Sequence, residues 1–527
     1  MLFNSFEYVI LLAASAFLYW IAPWQKARLV ILLVGSCIFY ASWDWRFLPL
    51  LLGAIIVTFA LVRWKVVRQR IAESPGFGWL ALTVTLNLLL LGIFKYTNFA
   101  IETAMMAGQS IGVASGSFSP LSIILPLGIS FFTFQLVAYA VDVHRGTLEE
   151  EKSLLKFAVF VAYFPQLIAG PICRGKELLP QLNVRQPFSV SAIAQGLLML
   201  SAGYLIKVGV ADNLASYVDL VFSAEDTPAQ QAIVFATLSF AMQIFCDFWG
   251  YSVMALGSAW LFGIMLPVNF NLPYLATSFQ SFWRRWHMTL SFWLRDYLYL
   301  PLGGNRKGRL RTYLNLAVVM VLGGLWHGAA FTFLIWGAIH GAALAIERFI
   351  SRRLNAGVSG SANPLPGAKL IQSVGKLFTW TITMFVVLVG WIFFRAESTG
   401  QALAYSDVFI RAAFSPASWI SMPADEQLRV AQLFLLAGLI LMLPLHWLNL
   451  MGNNQNFYEK GQVWQLSPRN GETFAVGVAN RPLLHLRYNN ISVPMPNVIK
   501  VVLAFWLFVA GYVLSAGLTV PFIYFQF

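Results

Sequence analysis

Apolar runs long enough to cross a bilayer recur along the whole chain, and they constrain its fold more than any other feature. A helix needs about 20 such residues to cross the hydrocarbon core. Runs of this kind lie near 5–23, 29–43, 47–62, 79–97, 121–143, 192–211, 231–262, 313–330, 331–347, 377–394, 430–448 and 498–520. Residues 157–172 are also apolar, but Pro165 and Gly170-Pro171 interrupt them. They read as a bent or re-entrant segment, which a membrane tolerates only where protein or a cavity surrounds it. The expected fold is an all-α polytopic membrane protein with about 11–13 spanning or re-entrant helices. Composition agrees. Hydrophobic residues make up 58% and charged residues 11% of the 527, against roughly 25% charge in a soluble domain. Disorder, collagen and small disulfide scaffolds are excluded.

The charge has a membrane explanation. The formal net charge is +13. With the N-terminus outside and strict alternation, the inside segments are 24–28, 63–78, 144–156, 174–185, 282–312, 348–376 and 449–500, and they hold 29 of the 35 Lys and Arg. The outside loop 212–230 has Asp212, Asp219, Glu225 and Asp226 and no basic residue. This is the positive-inside pattern, and no nucleic-acid partner is needed to account for it. Residues 5–23 lack a basic leader and read as a retained span. The chain reads as one integral membrane domain over 1–527, with a polar cytoplasmic loop at 449–497. Cys37, Cys173 and Cys246 are far apart and give neither a disulfide framework nor a zinc signature.

Chemistry has few candidates. No HExxH, carboxylate dyad or Ser-His-Asp order is present, so no metal site is expected. His327 lies in Leu322-Gly-Gly-Leu-Trp-His-Gly-Ala-Ala330, between two apolar segments. An ionisable residue at membrane depth is a functional candidate by default, and a core histidine bonded to a carbonyl is the other reading. His340, in a Trp-Gly-Ala-Ile-His-Gly context, reads as a packing or supporting residue. Residues 281–297 plot as an amphipathic interface helix. Phe282, Trp283, Trp286, Leu290, Trp293, Leu294 and Tyr297 share one face, Arg284, Arg285 and Arg295 the other, and His287 the boundary. Those arginines either bind solvent and lipid headgroups or line a mouth for an anionic donor. The basic loop Gly303-Gly-Asn-Arg-Lys-Gly-Arg-Leu-Arg311 lacks Walker spacing. Asp247, inside the 231–262 run, requires a partner, and Arg or His is expected.

Several segments together carry a resemblance. FWRRWHMTLSFWLRDYLYLPLGGNR (282–306) followed by GGLWHG (323–328) is similar to the membrane-bound O-acyltransferase family, within it to the bacterial alginate O-acetylation branch. FKYTNF (94–99), LPLGISFFTFQ (125–135), YFPQLIAGP (163–171), the opening MLFNS and the ending PFIYFQF (521–527) resemble the same group. The resemblance implies helices ringed around a central acyl-transfer tunnel, with His327 as the family's essential histidine and His287 as a second one. Trp326, Arg284, Arg295, Asp247 and Asn305 are the expected substrate-binding residues. The resemblance also implies no bound cofactor and a cytoplasmic donor, acetyl-CoA. It further implies periplasmic acetyltransferase partners, an exopolysaccharide acceptor, and residence in the bacterial inner membrane among its lipids. The branch usually reads Asp-Phe-Ser-Gly-Tyr-Ser-Asp where this chain has Asp247-Phe-Trp249-Gly-Tyr-Ser-Val253, which leaves alginate and cellulose both open as acceptors. A channel or transporter of an exopolysaccharide system, and an acyltransferase acting on lipid or teichoic acid, are the alternatives.

Overall fold

A computed structural model describes the chain apart from residues 72–77, 114–118, 169, 358–367, 416–425, 448–484, 489–490, 516–519 and 524–527. Seven helices among the described residues are long and apolar enough to cross a membrane: Gln25–Trp64, Gly78–Ser110, Val190–Phe222, Gln230–Trp260, Phe331–Arg353, Gln372–Arg395 and Asn497–Leu514. Three shorter apolar helices, Phe6–Ile21, Ile129–His144 and Leu428–Ile440, accompany them. The chain is therefore an all-α, multi-pass membrane protein. The two strands described, His485–Tyr488 and Ile491–Pro494, pair as a hairpin. The rest of the polar stretch expected at 449–497 lies largely outside the described residues.

Contacts divide the chain into two compact units, Met1–Tyr204 with Gly250–Pro267 and Leu448–Val509, and Leu205–Trp249 with Val268–Trp447 and Ala510–Phe527. The first unit contains the expected bent segment. Helix Leu154–Ala162 stops at Tyr163 and the chain turns through Pro165. Its backbone donors find partners in protein. The Phe164 N–H donates to Ser36 Oγ at 3.1 Å, and the Leu167 N–H closes the turn by donating to the Tyr163 carbonyl at 3.0 Å. Buried, non-helical backbone is stable here because those groups are satisfied. In the same unit, a Cβ on Gly203 would come within 2.6 Å of the Gly250 carbonyl oxygen, and one on Gly196 within 2.8 Å of that of Gly257. Small residues there let two backbones approach closely.

The second unit departs from the sequence reading in two places. The expected outside loop at 212–230 is helical as far as Phe222. A π-helical turn, Lys207–Ala211, feeds directly into helix Asp212–Phe222 and buries Asp212. The continuous amphipathic helix expected over 281–297 is broken. Helix Phe279–Trp283 ends, His287 takes a left-handed conformation at φ +40°, and helix Met288–Leu294 starts after it. Periodicity alone places Trp286 on an interface face. The break instead turns Trp286 and His287 into the interior, where both are fully buried.

Helices Arg309–His327 and Phe331–Gly357 form a tight helical hairpin in this unit. A Cβ at Gly324 would drive into the Phe333 carbonyl oxygen, and one at Gly337 into that of Met320. The two glycines bring the backbones together and fix where the first helix delivers its last residue, His327.

Candidate active site

His327 ends helix Arg309–His327 and is 3% exposed. The next residue, Gly328, returns its N–H to the Gly324 carbonyl at 3.2 Å, closing the helix. Aromatic rings surround the imidazole, with centroids 5.0 Å away for Trp326, 5.1 Å for Trp336 and 5.4 Å for Phe394. All three stand edge-on or perpendicular to the imidazole, the arrangement that aromatic quadrupoles favour.

The His287 ring lies 6.3 Å from that of His327 and 5.9 Å from that of Trp326. Phe248 packs perpendicular to it at 4.6 Å. Fully buried Asn269 sets its orientation. The Asn269 carbonyl oxygen accepts from Met288 N–H at 2.9 Å, and its side-chain oxygen accepts from Thr289 Oγ1 at 2.7 Å and faces His287 Nδ1 at 3.3 Å. An amide oxygen only accepts, so Nδ1 carries the proton and Nε2 holds the lone pair. Residue 287 lies between the spanning helices, and burial pushes its imidazole down to about 3. It is therefore neutral at cellular pH. The site thus offers two buried imidazoles within an aromatic shell, a setting suited to proton transfer at a desolvated thioester or hydroxyl.

Asp247 is one residue from Phe248, but its partner is not the expected Arg or His. Lys207 forms an ion pair with Asp247, its Nζ 2.9 Å from Oδ1, and donates to Asp212. Lys207 Nζ reaches the Val520 carbonyl at 3.0 Å, and Asp247 Oδ2 accepts from Ile523 N–H at 2.7 Å. The intervening Phe522 packs on Phe248 at 5.6 Å. The ions thus tie the C-terminal segment to the helix whose Phe248 backs His287. Sequence reasoning missed Lys207 and Asn269. A lone lysine inside an apolar run was the available signal for the first; nothing local marked the second.

Residues 148–388 match the model of MBOAT, the membrane-bound O-acyltransferase family. A probable alginate O-acetylase of Azotobacter vinelandii is 36% identical over 512 residues, 97% of this chain and 96% of that protein. This chain belongs to the membrane-bound O-acyltransferase family. A probable alginate O-acetylase of Pseudomonas putida is 41% identical over 374 residues, 71% of this chain and 73% of its own length. A peptidoglycan O-acetyltransferase of Helicobacter pylori is 38% identical over 398 residues, 71% of this chain and 72% of its own. The chain is accordingly an O-acyltransferase.

The structure of this acyltransferase sorts the remaining sequence candidates. Trp326 joins His327 and His287 in the buried shell. Arg284, Arg295 and Asn305 are exposed and do not enter it. Arg295 forms an ion pair with the adjacent Asp296 at 2.6 Å and lies over the Phe292 ring. His340 is fully buried beside Trp336, with ring centroids 5.0 Å apart, and against Trp283 at 5.2 Å. It extends the aromatic shell by one more imidazole.

Proposed function

We propose that this acyltransferase takes acetyl from acetyl-CoA on the cytoplasmic side of the bacterial inner membrane and serves the O-acetylation of a secreted exopolysaccharide. The observation that carries the reading is the pair of buried imidazoles, 6.3 Å apart, walled by tryptophan and phenylalanine. His327 accepts the proton of the attacking hydroxyl as that oxygen bonds the thioester carbonyl carbon. The C–S bond then breaks and the CoA sulfur leaves with a proton. Alternatively His327 itself bonds the acetyl and hands it on. His287, held by Asn269, orients the donor or relays the proton. Trp326 walls the acetyl group, and Arg284, Arg295 and Asn305 meet the donor outside the shell. Asp247 acts by holding its helix in place. The whole chain, 1–527, works as one domain, with a tunnel along which acetyl crosses while CoA stays behind. Periplasmic acetyltransferases complete the transfer.

Alginate is the first acceptor to test and cellulose the second. The Helicobacter pylori relative, named for peptidoglycan, makes a cell-wall glycan a further one. The test replaces His327 by Ala, confirms membrane expression, and measures ester-linked acetyl on the secreted polysaccharide. Undiminished acetylation would sink the proposal. Flux of polysaccharide through liposomes without any acyl donor would favour a transporter instead.

A further inference from the structure

One cavity, of about 260 Å³, lies away from the histidines in the second unit. Helix Phe331–Gly357 supplies Leu344, Glu347, Arg348, Ser351 and Arg352 to its wall, and Gln280 of helix Phe279–Trp283 faces them. Glu347 is already engaged: its Oε2 accepts from the Phe279 N–H at 2.5 Å and the Gln280 N–H at 3.3 Å. The arginines are different. Among the described residues neither Arg348 nor Arg352 makes an ion pair, and the buried Nε of Arg348 has no acceptor. Two guanidinium forks, a hydroxyl and an amide around one cavity match the oxygens of a phosphate.

We propose that this cavity binds a phosphate group, and that its occupant is the phosphate end of the thioester donor. The identity of that occupant rests on the acetyl-CoA reading above; the phosphate chemistry does not. Spacing supports it. Trp336, His340, Leu344, Arg348 and Arg352 follow one another at four-residue intervals along one helix, a row that winds around the axis by about 40° per step. Trp336 packs on His327. At about 1.5 Å per residue, Arg348 stands about 18 Å along the axis from Trp336 and Arg352 about 24 Å. A CoA thioester separates its reactive carbonyl from its phosphates by a long, flexible pantetheine arm, and this length of helix sets the two ends apart along its axis in the same way. An anionic phospholipid headgroup presents the same phosphate chemistry and is the competing source.

The experiment uses the full chain purified in a maltoside detergent, which carries no phosphate. Binding of radiolabelled CoA is measured for the unaltered protein and for Arg348→Gln with Arg352→Gln. Phosphatidylglycerol retained through purification is counted by mass spectrometry on the same samples. The double variant is expected to bind CoA at least about tenfold more weakly, with the lysine pair Arg348→Lys and Arg352→Lys recovering part of the loss. Arg352 is exposed, so Arg352→Gln alone reads the cavity should the double variant fail to fold. Unchanged CoA binding with phosphatidylglycerol lost keeps the phosphate site but reassigns it to lipid. Both unchanged overturns the proposal. An unaltered protein that binds no CoA defeats the acetyl-CoA reading on its own, and the lipid measurement still judges the cavity.

Discussion

Two buried polar clusters sit in the second unit, and they are built on opposite terms. Around His327 and His287 the neighbours are neutral rings: Trp326, Trp336, Phe394 and Phe248. Around Asp247 the neighbours are ions and backbone dipoles: Lys207, Asp212, the Val520 carbonyl and the Ile523 N–H. Ions in a low-dielectric interior are stable only when they compensate one another. Such a cluster holds structure together but has little freedom to trade protons with a substrate. Imidazoles can be buried in the neutral state at far lower cost, and that state is the one a general base needs. On the function proposed above, the first cluster does the chemistry and the second anchors.

The comparison breaks if the histidine shell proves structural. His327→Ala is expected to cut acetyl transfer by about 10²- to 10⁴-fold, the usual contribution of a general base, while the purified protein keeps its thermal transition. A variant that unfolds, or one that still transfers acetyl, would remove the distinction between the clusters.

The ionic cluster gives the next largest effect, and its three members are not equivalent. It contains one cation and two carboxylates. Lys207→Met leaves both carboxylates without their cation and is expected to cost about 3–5 kcal/mol, the penalty for breaking a buried pair. Asp212→Asn leaves a balanced Lys207–Asp247 pair and should be the mildest of the three. Asp247→Asn falls between them, because it also weakens the bond to the Ile523 N–H. Thermal aggregation midpoints of the three detergent-purified variants test this ranking. Equal losses for Lys207→Met and Asp212→Asn would show that charge balance is not what the cluster provides.

The two clusters also differ in how legible they are in the sequence. GGLWHG declares itself, because a histidine among glycines in an apolar stretch has few reasons to be there. His287 is visible as a candidate, yet its geometry is not. A helical period runs through 281–297 without a break, and only tertiary packing of Trp286 and the Asn269 contact force φ +40° at His287. Asp247 shows that it needs a partner but not which one. Lys207 is 40 positions upstream and is hidden by the apolar run around it, whose continuation through a π-helical turn carries it beside Asp212. Spans survive this kind of reading because hydropathy is additive along the chain. Pairings between helices do not, because they depend on rotation about each axis.

Placement of His327 can be perturbed without touching the ring. Gly337→Ala puts a methyl into the Met320 carbonyl oxygen, so the helical hairpin must open. Overpacking of this kind costs about 1–3 kcal/mol. A displacement of about 1 Å at His327 is itself enough to lower turnover about 10²-fold. The expected signature is turnover lost out of proportion to stability, with CoA binding kept. Gly375→Ala, where a Cβ meets nothing within 4 Å, is the matched control.

The smallest effect concerns pH, and it probes whether the shell holds His287 neutral. An unfolded histidine titrates at about 6.5, whereas burial lowers His287 to about 3. Between those values the unfolded state binds a proton that the folded state refuses, so stability is full above about 6.5 and declines as pH falls. At about pH 5 the deficit from this one residue is roughly 2 kcal/mol. His287→Gln removes the titrating group, and its thermal inactivation should vary less between about pH 7 and pH 5 than that of the unaltered protein. An identical pH slope in both would mean that His287 carries its proton in the folded state, and would move it from the neutral cluster to the charged one.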